Sequence, residues 1–163
     1  MQNDKVKYDS NDSYGKKIQR NKENAEKSEN SYLFSILHFL NISLNSKIEQ
    51  SSTGTFDYVI ENESTIVLIE LKQRHFHKEK YQTTIIGKNK VDYFHNIFCN
   101  SDKQVYAFAF FLFTDGLYCY RIDNTTLLLP SKCFYSNLRK KGESHKCIEI
   151  HITELVSVPI LLN

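Results

Sequence analysis

The segment from Thr55 to Lys72, TFDYVIENESTIVLIELK, constrains the fold more than any other part of the chain. Two apolar, β-branched runs flank the polar stretch Asn62-Glu63-Ser64-Thr65, the pattern of a β-hairpin. If the loop holds two residues (Glu63, Ser64) or four (Asn62 to Thr65), Asp57 lies directly opposite Glu70. Facing residues of an antiparallel pair have Cβ atoms about 4.5–5.5 Å apart, and like charges placed there repel. A cation between the carboxylates removes that repulsion. Side chains alternate along a strand, so Glu70 and Lys72 share one face and Leu71 takes the other. Two carboxylates and an amine then converge beside apolar strands, the makings of a metal site with a group to activate water. An odd-length loop would instead set Asp57 opposite Ile69 or Leu71, and the same charges would be ordinary solvated strand ends.

The rest of the chain supplies an order of elements. Residues 1–20 are polar and charged and predict a flexible N-terminal tail; residues 21–163 predict a single domain. From Asn21 the text turns helical, with Glu29, Leu33, Ile36, Leu37 and Leu40 on one stripe and Glu26 extending it. Asn45 to Gly54 reads as a polar loop. After Lys72 comes the basic QRHFHKEK, then a third short strand around Tyr81 to Ile86, broken by Gly87. Lys88 to Cys99 carries Val91, Phe94 and Phe98 at helical spacing. QVYAFAFFLF (Gln104 to Phe113) is nearly all apolar, as in a strand buried on both faces. Asp115-Gly116 signals a hairpin turn into LYCYRID. Thr125 to Glu143 reads as loop plus a short helix, and KCIEIHIT (Lys146 to Thr153) as a last strand. One mixed sheet flanked by helices is the simplest architecture for this order.

Composition limits the alternatives. A formal charge of +2 over 163 residues makes no nucleic-acid binder by itself, so such a role needs a local patch. Between Lys72 and Lys90 that patch exists: Lys72, Arg74, Lys78, Lys80, Lys88 and Lys90 face one acid, Glu79. Arg139-Lys140-Lys141 is a second, smaller cluster. The cysteines (Cys99, Cys119, Cys133, Cys147) are widely spaced and suit free thiols in a reducing compartment. His75 and His77 lack the Cys or acidic partners of a zinc site. The start lacks an apolar h-region and no apolar run approaches the roughly 20 residues of a membrane span, so an intracellular protein with no membrane partner is expected.

Taken together, the chain resembles the PD-(D/E)XK nuclease superfamily over roughly residues 26–122, whose restriction-endonuclease-like fold has an αβββαβ core. The resemblance implies a mixed central sheet flanked by helices, here with an added C-terminal hairpin and strand. Asp57 matches the first motif, with Phe56 in place of the usual Pro, and Glu70-Leu71-Lys72 matches E-x-K. Glu29, or alternatively Glu26, matches the acid on the first helix. TTIIGKNKVDYF looks like the segment after E-x-K in nucleases encoded by viruses and phages, where a hydroxyl and a lysine near the second helix support the site; Thr83, Lys88 and Lys90 match them.

The resemblance implies Mg²⁺, with Mn²⁺ able to substitute, held by Asp57, Glu70 and the main-chain carbonyl of Leu71. Lys72 would orient water or stabilise charge, and Glu29 would anchor a water or second metal. It further implies endonucleolytic hydrolysis of DNA, held by Arg74, Lys78, Lys80, Thr83, Lys88 and Lys90, and allows a homodimer, since cutting two strands needs two sites. The rival reading is a catalytically silent nucleic-acid- or protein-binding module on the same fold.

Overall fold

The computed structural model describes residues 32–43, 48–50, 55–135 and 144–161. A helix over residues 32–39 (α1) is followed by β1 (Ile48–Gln50), β2 (Tyr58–Glu61), β3 (Thr65–Gln73), β4 (Thr83–Gly87) and a second helix, α2 (Lys88–Asn100). Then come β5 (Gln104–Phe113), β6 (Gly116–Ile122), β7 (Ser131–Tyr135), β8 (Ser144–His151) and β9 (Val156–Val158). Short 3₁₀ turns cover Lys78–Lys80, Thr126–Leu128 and Ile152–Glu154. The protein is a mixed α/β fold built mostly on sheet.

The hairpin of β2 and β3 forms as its sequence demands. Asn62 Oδ1 accepts from the N–H groups of Ser64 (3.0 Å) and Thr65 (2.8 Å), and its own N–H donates to Thr65 O (3.0 Å). An Asx side chain that bonds the backbone ahead of it builds a tight turn. The two-residue loop Glu63-Ser64 sets the register, with Glu61 opposite Ile66 and Tyr58 opposite Ile69.

β5 lies at the centre, parallel to β3 and antiparallel to β6, in a six-stranded sheet of order β1-β2-β3-β5-β6-β9. Parallel neighbours need a crossover, which β4 and α2 supply. The two faces of β5 serve two cores. Ala107, Ala109, Phe111 and Phe113 pack with Ile86, Val91 and Phe94 on the α2 side. Phe110 and Leu112 pack with Ile36 and Leu37 on the α1 side. Leu33 and Leu40 flank that second core, so the expected stripe on α1 is the buried one. Phe110 and Phe111 are both fully buried, each worth about 1.5–3 kcal/mol relative to exposure.

Several expectations are corrected here. The stretch read as a loop from Asn45 contains β1, which pairs with β2. β4 does not join the main sheet; it pairs with β8 in a separate sheet of order β4-β8-β7. Two sheets therefore replace the single one expected. Residues read as loop and short helix include the strand β7, and β9, not β8, is the last strand. Phe98, read at helical spacing with Val91 and Phe94, is 44% exposed, while Val91 and Phe94 are buried and Tyr93 and Ile97 pack beside them. The tail and the acids Glu26 and Glu29 lie outside the described residues. No described helix is long and apolar enough to cross a membrane, and all four cysteines are free.

Candidate metal and phosphate site

Asp57 sits one residue before β2, where the regular ladder ends: its N–H donates at 3.0 Å to Ile69 O, the residue that pairs with Tyr58. The expected ladder pair of Asp57 with Glu70 does not form, because Asp57 and Tyr58 both meet Ile69, yet the Asp57 charge still acts on the Glu70 carboxyl. Its Oδ2 accepts from the N–H of Leu71 at 2.7 Å, which fixes the carboxylate at the point where β2 stops and β3 runs on. Ile69 O and Leu71 N–H thus both point toward β2. Since N–H and C=O of one strand residue share a side, the Leu71 carbonyl points there too, past the end of β2. The Leu71 side chain is buried on the α1 face, while Glu70 and Lys72 project to the α2 face.

Glu70 is fully buried. Its Oε2 accepts from Lys90 Nζ at 2.6 Å, and Lys72 Nζ forms an ion pair with Oε1. Burial pushes the Glu70 carboxyl up; Lys72 draws it back down, and the charge of Asp57 adds to the upward push. β5 places Ala109 beside Glu70, a small residue that leaves room for the carboxylate within an otherwise bulky strand.

Lys90 reaches Glu70 because α2 starts immediately after β4, with Gly87 as the extended residue before its first turn. A cation in a first helical turn faces the positive end of the helix dipole, typically costing about 0.3–1 kcal/mol. The Glu70 carboxylate offsets that cost. Lys90 also lies 5.6 Å from the ring centroid of the buried Phe56, which forms one wall of the site.

The other predicted residues are distributed differently. Arg74 is turned inward: Nε donates to Thr84 Oγ1 (3.3 Å), Nη2 to Ile85 O (3.0 Å), and the guanidinium stacks 5.5 Å from the Phe111 centroid. Burial lowers its pKa, opposed by Cys147 and Glu70. Thr83 pairs with His151 at the start of β4, and the hydroxyl that meets a basic residue is that of Thr84. Lys88 bonds Asp92 one turn along its own helix. Lys78 and Lys80 lie over aromatic rings beyond the end of β3. The structure thus brings together Asp57, Glu70, Leu71, Lys72 and Lys90, and leaves Thr83 and Lys88 apart from them.

The sequence reading named Lys90 as a lysine supporting the site but not as a buried partner of Glu70, although Lys90, Val91 and Phe94 share one helical face and this lysine stands on an apolar stripe. Phe56 and Thr84 carried no comparable signal.

No cluster of three or more His, Cys, Asp or Glu side chains suited to a metal occurs among the described residues. The donors at hand are the carboxylates of Asp57 and Glu70 and the Leu71 carbonyl. That set fits Mg²⁺, a hard ion that is commonly bound through one or two carboxylates and keeps waters and substrate phosphate as further ligands. The all-oxygen chemistry of this donor set, with Asp57 held in place by the Leu71 N–H, favours the fit. A pocket lined by Phe39, Phe108, Arg121, Asp123 and Glu154 shares no residue with this site. No family model matches the chain, and no curated protein matches it.

Proposed function

We propose that the protein is a metal-dependent nuclease that hydrolyses phosphodiester bonds in DNA, more as an endonuclease than an exonuclease. One observation carries the reading: where β2 ends, the Leu71 N–H holds the Asp57 carboxylate close to the buried carboxylate of Glu70 and to Lys72. The order of the main-sheet elements and helices, α1-β1-β2-β3-α2-β5, supports it as an αβββαβ core, with β4 an insertion that pairs elsewhere. The three strands before the second helix are then β1, β2 and β3, and the restriction-endonuclease-like arrangement belongs to this proposal.

Mg²⁺ held by Asp57, Glu70 and the Leu71 carbonyl would supply positive charge to the phosphate and a lowered pKa for a bound water. Asp57 is oriented for this by the Leu71 N–H. Lys72, about one-third exposed, is the cation of the site that solvent can reach, and from there it orients water or meets charge developing on the phosphate. Lys90, nearly buried, holds Glu70 in place rather than reaching a substrate.

A second reading rests on a specific observation. Glu70 already has two lysines beside it, so its charge is compensated without a metal. A silent binding module on the same fold would look the same. Incubation with supercoiled plasmid, linear duplex, single strands and a four-way junction, each with Mg²⁺, Mn²⁺ or EDTA, separates the two. Cutting by the wild type that disappears in Asp57→Ala, Glu70→Ala and Lys72→Ala supports the nuclease; cutting retained in all three removes the site assignment.

A further inference from the structure

Downstream of Lys72 the chain crosses the end of β5 in a fixed path. Arg74 N–H donates to Leu112 O (2.7 Å), Thr114 N–H to Phe76 O (3.2 Å), and Lys78 N–H to Asp115 Oδ1 (2.8 Å). These bonds hold a continuous row of rings. Tyr81 meets Phe76 edge-on with centroids 5.0 Å apart, Phe76 meets Phe113 at 5.9 Å, and Phe113 meets Tyr118 at 5.8 Å. Phe113 is buried and anchors the row, while Tyr81 is 52% exposed at its end. Ammonium groups lie over the rings: Lys78 is 4.6 Å from the Tyr118 centroid, and Lys80 is 5.6 Å from Phe76 and 5.5 Å from Tyr81.

We infer that this row of rings, with Lys78 and Lys80, binds single-stranded nucleic acid and leads it to Asp57 and Glu70, an inference that rests on the nuclease reading for its substrate class. Aromatic faces attract any base, because every base has a π face. In a duplex those faces are stacked on one another, so only an unpaired strand offers them. A cation over an exposed ring is weakly held. A base that stacks on Tyr81 displaces the Lys80 ammonium, which is then free to meet the adjoining phosphate. Phe76 follows Lys72 by four residues, a reach of at most about 14 Å. About four nucleotides of stacked strand, at 3.4 Å each, span that distance.

Charge alone does not make this surface. Glu79 and Asp115 are exposed nearby, and Asp115 is engaged by the Lys78 N–H. Two lysines against two acids leave stacking as the main source of affinity, with a shallow dependence on salt. That combination separates this surface from a groove that grips duplex phosphates.

Fluorescence anisotropy of the full chain in EDTA tests the inference, using short labelled single strands of DNA and of RNA and the matching DNA duplex. Single strands are expected to bind more tightly than duplex. Tyr81→Ala should weaken single-strand binding by about tenfold, with Tyr81→Phe close to wild type. Lys80→Ala should reduce the salt slope by about 0.7. Comparing the two single strands shows which sugar the surface accepts. Equal single-strand affinity for wild type and Tyr81→Ala overturns the inference, as does failure of both single strands to bind the wild type, which leaves the rings to a partner of another class. The nuclease reading fails separately. Tyr81-dependent binding without cutting under any divalent metal removes the catalysis and keeps the surface. Lys72-dependent cutting with normal binding by Tyr81→Ala does the reverse.

Discussion

Lys90 Nζ lies 2.6 Å from Glu70 Oε2, an ion pair between the first turn of α2 and the middle of the main sheet, twenty residues apart in sequence and almost wholly buried. It ties the crossover helix to the strand that carries the candidate site. Breaking a buried pair by removing one partner costs about 3–5 kcal/mol. Lys90→Met, which keeps the length and apolar stem, is therefore expected to lower stability by about 3 kcal/mol in urea unfolding, because Lys72 still partners the carboxylate. Lys88→Met, two residues away on a partly exposed ion pair, should change stability by less than about 1 kcal/mol.

The same pair sets a pH dependence. Burial raises the Glu70 carboxyl above the 4.5 of an unperturbed glutamate, against the downward pull of Lys72 and Lys90. With the folded value above the unfolded one, the contribution of Glu70 to stability is fully present below 4.5 and fades as pH rises through the raised value. Metal binding has the opposite sense, since a ligand carboxylate must be ionised. Cutting should therefore fall on acidification while the medium is still above 4.5. Lys90→Met removes a group that lowers this pKa, so the acid limb of its pH–rate profile should move to higher pH. An acid limb unchanged in Lys90→Met would show that Glu70 does not set it.

Asp57 combines two tasks that substitution can separate. Asp57→Asn keeps an oxygen acceptor for the Leu71 N–H, whereas Asp57→Ala leaves that donor without its carboxylate at a partly buried position. Removing the acceptor costs about 1–3 kcal/mol. Urea unfolding should show Asp57→Asn within about 1 kcal/mol of wild type and Asp57→Ala below it. Both should lose metal-dependent cutting by more than about a hundredfold, given the several kcal/mol of charge stabilisation that a correctly held metal supplies.

Arg74 and Lys80 belong to the same basic stretch of sequence but play different parts. Arg74 bonds Thr84 and the Ile85 carbonyl and stacks on Phe111, so it joins the end of β3 to β4. Arg74→Met should lower stability by about 1.5–3 kcal/mol through the loss of charge-assisted hydrogen bonds. It should leave the salt slope of nucleic-acid binding unchanged. A reduced slope with unaltered stability would instead make Arg74 a phosphate contact.

The part of the fold visible in the sequence was the part held by local rules. An Asx residue, a two-residue loop and alternating apolar side chains determine the β2–β3 register, and with it the approach of Asp57 to Glu70. The strand β5 was equally plain because its apolar run needs cover on both faces. β1 was hidden: at three residues it carries no usable period, and its identity as a strand comes from pairing with β2. The second sheet was hidden for a related reason, since Thr83 pairs with His151 and nothing near β4 announces so distant a partner. At the site, the basic stretch after β3 gave charge without direction. Only the packed structure shows that Arg74 and Lys90 turn inward while Lys80 stays over exposed rings.

Cleavage of supercoiled plasmid and of circular single-stranded DNA by wild type and Lys72→Ala, with Mg²⁺, Mn²⁺ or EDTA, tests the central claim most directly. Lys72 is over a third exposed where Glu70 is fully buried, and in Lys72→Ala the carboxylate keeps Lys90 as its partner. The nuclease account predicts Mg²⁺-dependent nicking or linearisation by the wild type, abolished in EDTA and in a folded Lys72→Ala. Wild-type protein that leaves both DNAs intact under both Mg²⁺ and Mn²⁺, or cutting that survives in Lys72→Ala, would contradict it.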